Sequence, residues 1–161
     1  MSPTPVRFYD PGHTSGHFAA SMLVRCPRCD RIAHFEHRPS APPDANGRRE
    51  PRSRLVCRSC GLCQIGTGAY RSSRYTSDCS YPTLWLQTDT RHGELWAYNL
   101  PHLDLIRRFV AADLRERAPW YDTGRKKTLV ARLPVWMKSA KNRDEVLRAV
   151  DRLRATVIAP G

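Results

Sequence analysis

The chain is poor in acid, has no long apolar run and carries none of the common catalytic signatures, and each absence excludes something. Fifteen Asp/Glu stand against 27 Lys/Arg, most of them arginine, for a formal net charge of +12. The excess is not confined to one tail. Residues 1–70 hold ten basic and five acidic residues, and residues 71–161 hold seventeen and ten. Such a balance attracts polyanions, nucleic acid first and an anionic membrane surface second, although basic chains with neither role exist. The apolar stretch near the start, FAASMLV (Phe18 to Val24), is seven residues long, against the roughly 20 that cross a membrane. The opening MSPTPVRFYDPGHTSGH lacks the charged-then-apolar order of a secretory signal. The expected location is the cytoplasm, with no membrane partner. Thiols stay reduced there, so six cysteines read as metal ligands rather than disulfides.

There is no Gly-rich phosphate loop, no G-x-S-x-G elbow and no H-E-x-x-H. Asp and Glu are scattered, several of them four residues from an arginine, as in Asp104–Arg108 and Asp144–Arg148. That is the pattern of ordinary helix-surface pairs, not of acid/base dyads. The chain reads as non-enzymatic, with no small-molecule substrate.

What is present is a set of cysteine pairs. CPRC (Cys26 to Cys29) and CRSCG (Cys57 to Gly61) are separated by 27 residues. Two C-x-x-C pairs, each in a tight turn between strands, supply four thiolates at tetrahedral positions, which suits a structural Zn²⁺ with Zn–S of about 2.3 Å. A knuckle of this kind turns sharply so that backbone N–H groups point at sulfur, and Pro27 and Gly61 are residues such a turn prefers. LVCRSCGLC can also be cut as Cys60 with Cys63. That pair is followed by Gln64 instead of glycine and leaves Cys57 unused. Cys26, Cys29, Cys57 and Cys60 are therefore the expected ligands. Cys63 falls where a third strand should begin, and with Cys79 reads as a free thiol.

A catalytic zinc pattern competes with this. His34 and Glu36 followed by CRSC loosely follow the deaminase order H-x-E…P-C-x-x-C. Val56 stands where that motif has proline, HFEHRPSAPP cannot begin the required helix, and Cys26 and Cys29 are left without a role. The blander reading is that His34 and Glu36 are polar residues on a strand face.

The remaining organisation reads as α+β. Residues 1–21 form a mostly disordered lead-in, with His13 and His17 simply polar. Residues 22–70 hold short strands around the cysteines. In RIAHFEHR, Ile32, His34 and Glu36 alternate with Ala33, Phe35 and His37, and the Pro-rich stretch Pro39 to Arg54 is a long loop between strands. Residues 71–82 read as a linker. Residues 83–159 read as a β-hairpin packed on about three helices. TLWLQT and ELWAYN would place Trp85 opposite Trp96 and Leu86 opposite Leu95. Asn99 caps a helix over about 101–117, apolar on two faces and ended by Pro119. A second helical segment over about 127–140, kinked or divided at Pro134, carries Leu129, Leu133, Trp136 and Ala140 on one face. Asn142 with Glu145 is a capping-box-like start for a third, about 143–157, with Val146, Val150, Leu153 and Val157 as its stripe.

Two basic tracts are candidate contacts for a polyanion. RREPRSRLVCR supplies Arg48, Arg49, Arg52, Arg54 and Arg58 against one acid. From Thr123 to Arg143 there is no acid at all, and Lys127, Lys138 and Lys141 would share one face of the second helix, with Lys126 beside them. Phosphate contacts are the expected mode, and DNA or RNA the expected partner. Aromatic residues are not interleaved with these cations as in single-strand binders. A protein-interaction adaptor, docking on a larger machine such as RNA polymerase or the ribosome through the ribbon edge or the tryptophan hairpin, is the alternative.

The cysteine segment, over about residues 22–70, resembles a zinc ribbon of the transcription-factor type, with a longer loop between knuckles than a compact ribbon has. Most of residues 22–155, through LWLQT, LWAYN, LRER and RLPVWMKSAKNR, also resembles a group of bacterial zinc-ribbon-containing proteins with no assigned activity. That resemblance implies a cytoplasmic bacterial context and a ribbon-plus-helices architecture.

Overall fold

A computed structural model describes residues 4–38, 43, 45–47, 52–67, 83–116 and 128–158. The expected linker at 71–82 lies outside them, as do Arg48, Arg49, Cys79, Pro119, Lys126 and Lys127. The fold is mixed α+β, with antiparallel sheets and, among the described residues, four helices. The chain divides into two compact units, Ala19–Leu86 and Met1–Phe18 with Gln87–Gly161.

The first unit is a four-stranded antiparallel meander. Its strands are β2 (Ser21–Arg25), β3 (Ile32–Arg38), β4 (Arg52–Val56) and β5 (Cys63–Thr67), in that spatial order. Alternation decides the faces. Met22 pairs Phe35, and Phe35 pairs Leu55. All three are buried, with Val24 and Ala33 on the same face. His34 and Glu36 take the opposite, solvent face of β3, as the period of two predicts. Arg54, paired across to Glu36 and Ile65, lies on that solvent face. The free edge of β2 is covered by Thr83–Trp85: Arg25 donates its N–H to the Thr83 carbonyl (2.8 Å), and Trp85 donates to Leu23 (2.9 Å).

The other unit opens with a correction. Residues expected to be a disordered lead-in form β1 (Arg7–Tyr9) and α1 (Ser15–Ala19). β1 runs parallel to β8 (Leu114–Glu116), pairing Arg7 with Leu114, and buries Phe8 edge-on to Phe109 at 5.4 Å. A partner 107 residues away supplies the order that local periodicity could not. The same pairing shortens the expected helix at 101–117. α2 spans Leu100–Ala111, and the chain is extended at Ala112 before entering β8. Its start is as expected: the Asn99 side chain accepts the His102 N–H (2.9 Å), with a proline in the first turn. Both faces are buried, Leu103, Ile106 and Val110 on one side and Leu105, Phe109 and Ala112 on the other.

The hairpin is tighter than expected. β6 (Gln87–Thr90) and β7 (Gly93–Trp96) pair Gln87 with Trp96 and Thr88 with Leu95, so Trp85 is not opposite Trp96 and Leu86 is not opposite Leu95. Arg91 and His92 alone form the turn. The Thr90 hydroxyl accepts the His92 N–H (3.2 Å) and donates to the Gly93 carbonyl (2.7 Å), which closes it locally. Gly93 has φ 139, a conformation that a side chain would strain.

No continuous helix covers 127–140. Thr128–Leu133 are turns, α3 is one turn at Val135–Lys138 after Pro134, and a 3-10 turn covers Ala140–Asn142. Proline breaks the ladder there, as its missing N–H requires. Thr128, Leu129, Val130 and Met137 are the buried residues, so Leu133, Trp136 and Ala140 do not form the expected stripe. α4 (Arg143–Ile158) buries Val146, Ala149, Val150 and Leu153 against α2. The capping box does not form. Asn142 donates its amide to the Trp136 carbonyl (3.0 Å), and Glu145 pairs with Arg91 (2.7 Å). Asp104 and Arg108 make their expected pair at 3.0 Å, but Asp144 and Arg148 do not. No helix among the described residues is long and apolar enough to cross a membrane.

Candidate metal centre

The β2–β3 turn carries Cys26 and Cys29, and the β4–β5 turn carries Cys57 and Cys60. Strand order sets these turns at the same end of the sheet, and all four sulfurs lie within 4.8 Å of one another. Cys26 Sγ is 3.6 Å from Cys60 Sγ, and Cys29 Sγ is 3.6 Å from Cys57 Sγ. A regular tetrahedron of sulfurs about 2.3 Å from a central ion has edges of about 3.8 Å. The cluster therefore fits a metal ion bound by four sulfurs. Cys26 and Cys57 are buried, and Cys29 and Cys60 are half-buried.

The two turns repeat one backbone pattern. Cys26 N–H donates to the Arg31 carbonyl, and Asp30 N–H donates back to Cys26. Cys57 N–H donates to Leu62, and Gly61 N–H donates back to Cys57. In each turn the residue after the second cysteine is left-handed, Gly61 at φ 72 and Asp30 at φ 56. Gly61 was legible as a turn residue. Asp30 was missed, although Asp is one of the few side chains that tolerate this region. Its carboxylate accepts a hydrogen bond from the Arg25 guanidinium at 3.1 Å.

Electrostatics favour a cation at the centre. Burial pushes the Cys57 thiol up, but N–H donors from Cys60 and Ser59, with the neighbouring Cys29 thiol, outweigh it and bring the group down to about 6. Cys29 receives a favourable backbone N–H from Arg31. Desolvation and the three surrounding sulfurs nevertheless raise it to about 12. One thiolate forms readily and the last does not. Four thiolates at this spacing need a compensating charge, which a divalent ion supplies.

Cys63 begins β5, is exposed and stands outside the cluster. His34 and Glu36 sit on a strand and are not part of it either, so the cluster lacks the His and Glu that a deaminase site uses.

Of the described candidate cations, Arg52, Arg54 and Arg58 belong to the cysteine unit and Lys138 and Lys141 to the other. Arg58 is exposed within the second cysteine turn. Arg52 and Arg54 share the solvent face of β4, with Arg52 at the far end, about 17 Å of strand from Cys57. Lys138 and Lys141 do not share a helix face. Lys138 ends α3 and Lys141 lies in the 3-10 turn. The Lys138 ammonium donates to the Ala131 carbonyl at 2.6 Å. Burial, then the nearby Arg115 charge, hold its pKa below the usual lysine range.

What sequence reading missed is a difference in pairing. In the cysteine unit Arg28, Arg31, Arg52, Arg54 and Arg58 have no acid partner among the described residues, and only Arg25 has one. The other unit pairs Arg7, Arg91, Arg107, Arg108, Arg143 and Arg154 with carboxylates. Compared with family models, with curated proteins and with solved structures, the chain matches none.

Proposed function

We propose that residues 21–67 are a zinc ribbon whose Zn²⁺ is structural, and that the protein is non-enzymatic and associates with DNA or RNA through phosphate contacts. The sulfur geometry supports the metal. Zinc suits four thiolates in a tetrahedron, and its binding free energy becomes folding free energy for so small a sheet. The observation that carries the nucleic-acid reading is the set of five arginines on the cysteine unit without acid partners among the described residues. Guanidinium groups left unpaired in this way offer forked donors to phosphate oxygens. They are spread along strand and turns, a layout that suits contacts to successive phosphates more than readout of one base.

Fluorescence anisotropy with labelled single- and double-stranded DNA and RNA tests this. Affinity should fall steeply with salt, and R52Q, R54Q and R58Q should each reduce the log–log salt slope by about 0.7–0.9. Binding that is absent, or indifferent to salt, refutes the reading.

The outer edge of β5 supports a protein-interaction adaptor as a second reading. β5 is the last strand of its sheet, and Ile65 is 76% exposed on it. Such edges accept an added strand. A partner that co-purifies through nuclease and high salt would favour this role.

A further inference from the structure

We propose that Arg115, Lys138 and Arg143 form a binding site for a phosphoryl group, separate from the arginines of the cysteine unit. Among the described residues, three cations come together here with a single carboxylate. The Arg115 guanidinium lies 4.2 Å over the Phe109 ring and donates to the carbonyls of Phe109 (3.2 Å) and Lys138 (2.6 Å). Arg143, at the first residue of α4, donates to the Asp113 carboxylate (2.9 Å) and to the Ala112 carbonyl (2.9 Å). Its Nε is buried with no hydrogen-bond partner.

The nearby acids do not balance the group. Glu116 pairs with Arg7, Glu145 pairs with Arg91 and His92, and Asp144 makes no ion pair with any of the three cations. Among the described residues Asp113 is left as the only carboxylate partner, and it is held below the usual carboxylate range by the Val6 N–H first and Arg143 second. The excess positive charge is felt within the cluster. Burial, then Arg143, lowers the Arg115 pKa, and burial, then Arg115, lowers that of Lys138.

Backbone carbonyls orient the groups without neutralising them. A carbonyl accepts a hydrogen bond but carries no compensating charge. All three side chains are half-buried, so the repulsion is less screened than on an open surface. Donors also remain. An ammonium has three N–H bonds and a guanidinium five, and the contacts above use one on Lys138 and two on Arg115. A doubly charged phosphate matches both the charge excess and the forked donors. Either a free phosphate compound or a nucleic-acid backbone can present that chemistry.

The test uses the full-length, metal-loaded protein. Isothermal titration with inorganic phosphate and with pyrophosphate, against chloride at matched ionic strength, should show saturable binding. K138Q keeps a donor for the Ala131 carbonyl while removing the charge, and it should weaken binding at least tenfold. R152Q, at an exposed position about two and a half turns along α4 from Arg143, should bind as the parent does. R115K keeps the charge but not the fork, and it should weaken pyrophosphate binding more than R152Q does. A parent protein with no saturable phosphate binding overturns the proposal, and so does a K138Q variant that binds unchanged. Competition between pyrophosphate and a labelled oligonucleotide identifies the source as a nucleic-acid backbone. Its absence, with titration positive, identifies it as a free phosphate compound. Oligonucleotide binding without any phosphate site leaves the nucleic-acid reading standing and removes this one.

Discussion

The unit built on α2 and α4 and the unit built on the four-stranded meander differ in what holds them. The helical unit fully buries Leu95, Leu103, Leu105, Ile106, Val110, Val146 and Val150, with His102 among them. In the meander the comparable side chains are Met22, Val24, Leu86 and Cys57, and one of these four is itself a candidate ligand. Among the described residues the helical unit buries the larger apolar set. The meander buries a smaller one on a single sheet face, and its sulfur cluster gathers the turns at one end of that sheet. Charge follows the same division. Carboxylates pair many of the helical unit's cations, while five arginines of the meander have no carboxylate partner among the described residues. A sheet stabilised by metal can keep its surface for contacts, whereas a unit stabilised by packing has surface pairs to spare.

The largest expected effect tests the metal side of that contrast. Cys57→Ser should abolish stoichiometric zinc binding and remove stabilisation on the order of 10 kcal/mol from the meander. Hydrogen exchange should show protection lost in β2–β5 while α2 and α4 keep theirs. If α2 and α4 lose protection equally, the two units are not held by different means. On the packing side, Ile106→Ala should cost about 2–5 kcal/mol in urea unfolding followed by far-UV circular dichroism, with zinc content unchanged.

A third test uses pH. Burial holds the His102 imidazole down at about 4 against an ordinary 6.5, and its Nδ1 accepts the Tyr98 N–H at 3.1 Å. The unfolded chain takes up this proton first as pH falls, so stability rises with pH across the window. Between pH 6.5 and about 4 the helical unit should lose roughly 3 kcal/mol. His102→Gln, followed by denaturant titration at each pH with amide exchange in α2 as the reporter, should flatten that slope. An unchanged slope would assign it to other groups. The smallest effect is expected at Cys63→Ser. An exposed thiol outside the cluster should change stability by less than about 0.5 kcal/mol and leave one metal per chain.

Legibility in the sequence followed the range of the interactions. The four-cysteine set was readable because spacing and a turn glycine are local signals. β3 was readable from its alternation, and α2 from Asn99 and its two apolar faces. α4 emerged with its stripe of Val146, Val150 and Leu153. Where partners are distant, reading failed. β1 is three residues with no periodicity, ordered by β8 far along the chain, and the same pairing truncates α2 at Ala111. The hairpin register followed the Thr90 hydroxyl in the turn, not a match of tryptophans. Between Thr128 and Asn142, buried Thr128 donates to Asp10 (2.8 Å) and the Leu129 N–H donates to His13. These contacts with the N-terminal segment hold turns where apolar spacing suggested a helix. The pairing of arginines was also invisible, since a count of charges does not say which of them meet.

The position of the cysteine turns has a consequence for how the sheet opens. Each β-hairpin, β2–β3 and β4–β5, carries two of the four sulfurs, and the β3–β4 connection leaves from the opposite end of the sheet. An ion bound by all four sulfurs would clamp the two hairpins together at that end. Opening of the β3–β4 ladder would leave it two thiolates on either hairpin, so amide protection along that ladder should rise when the metal is loaded.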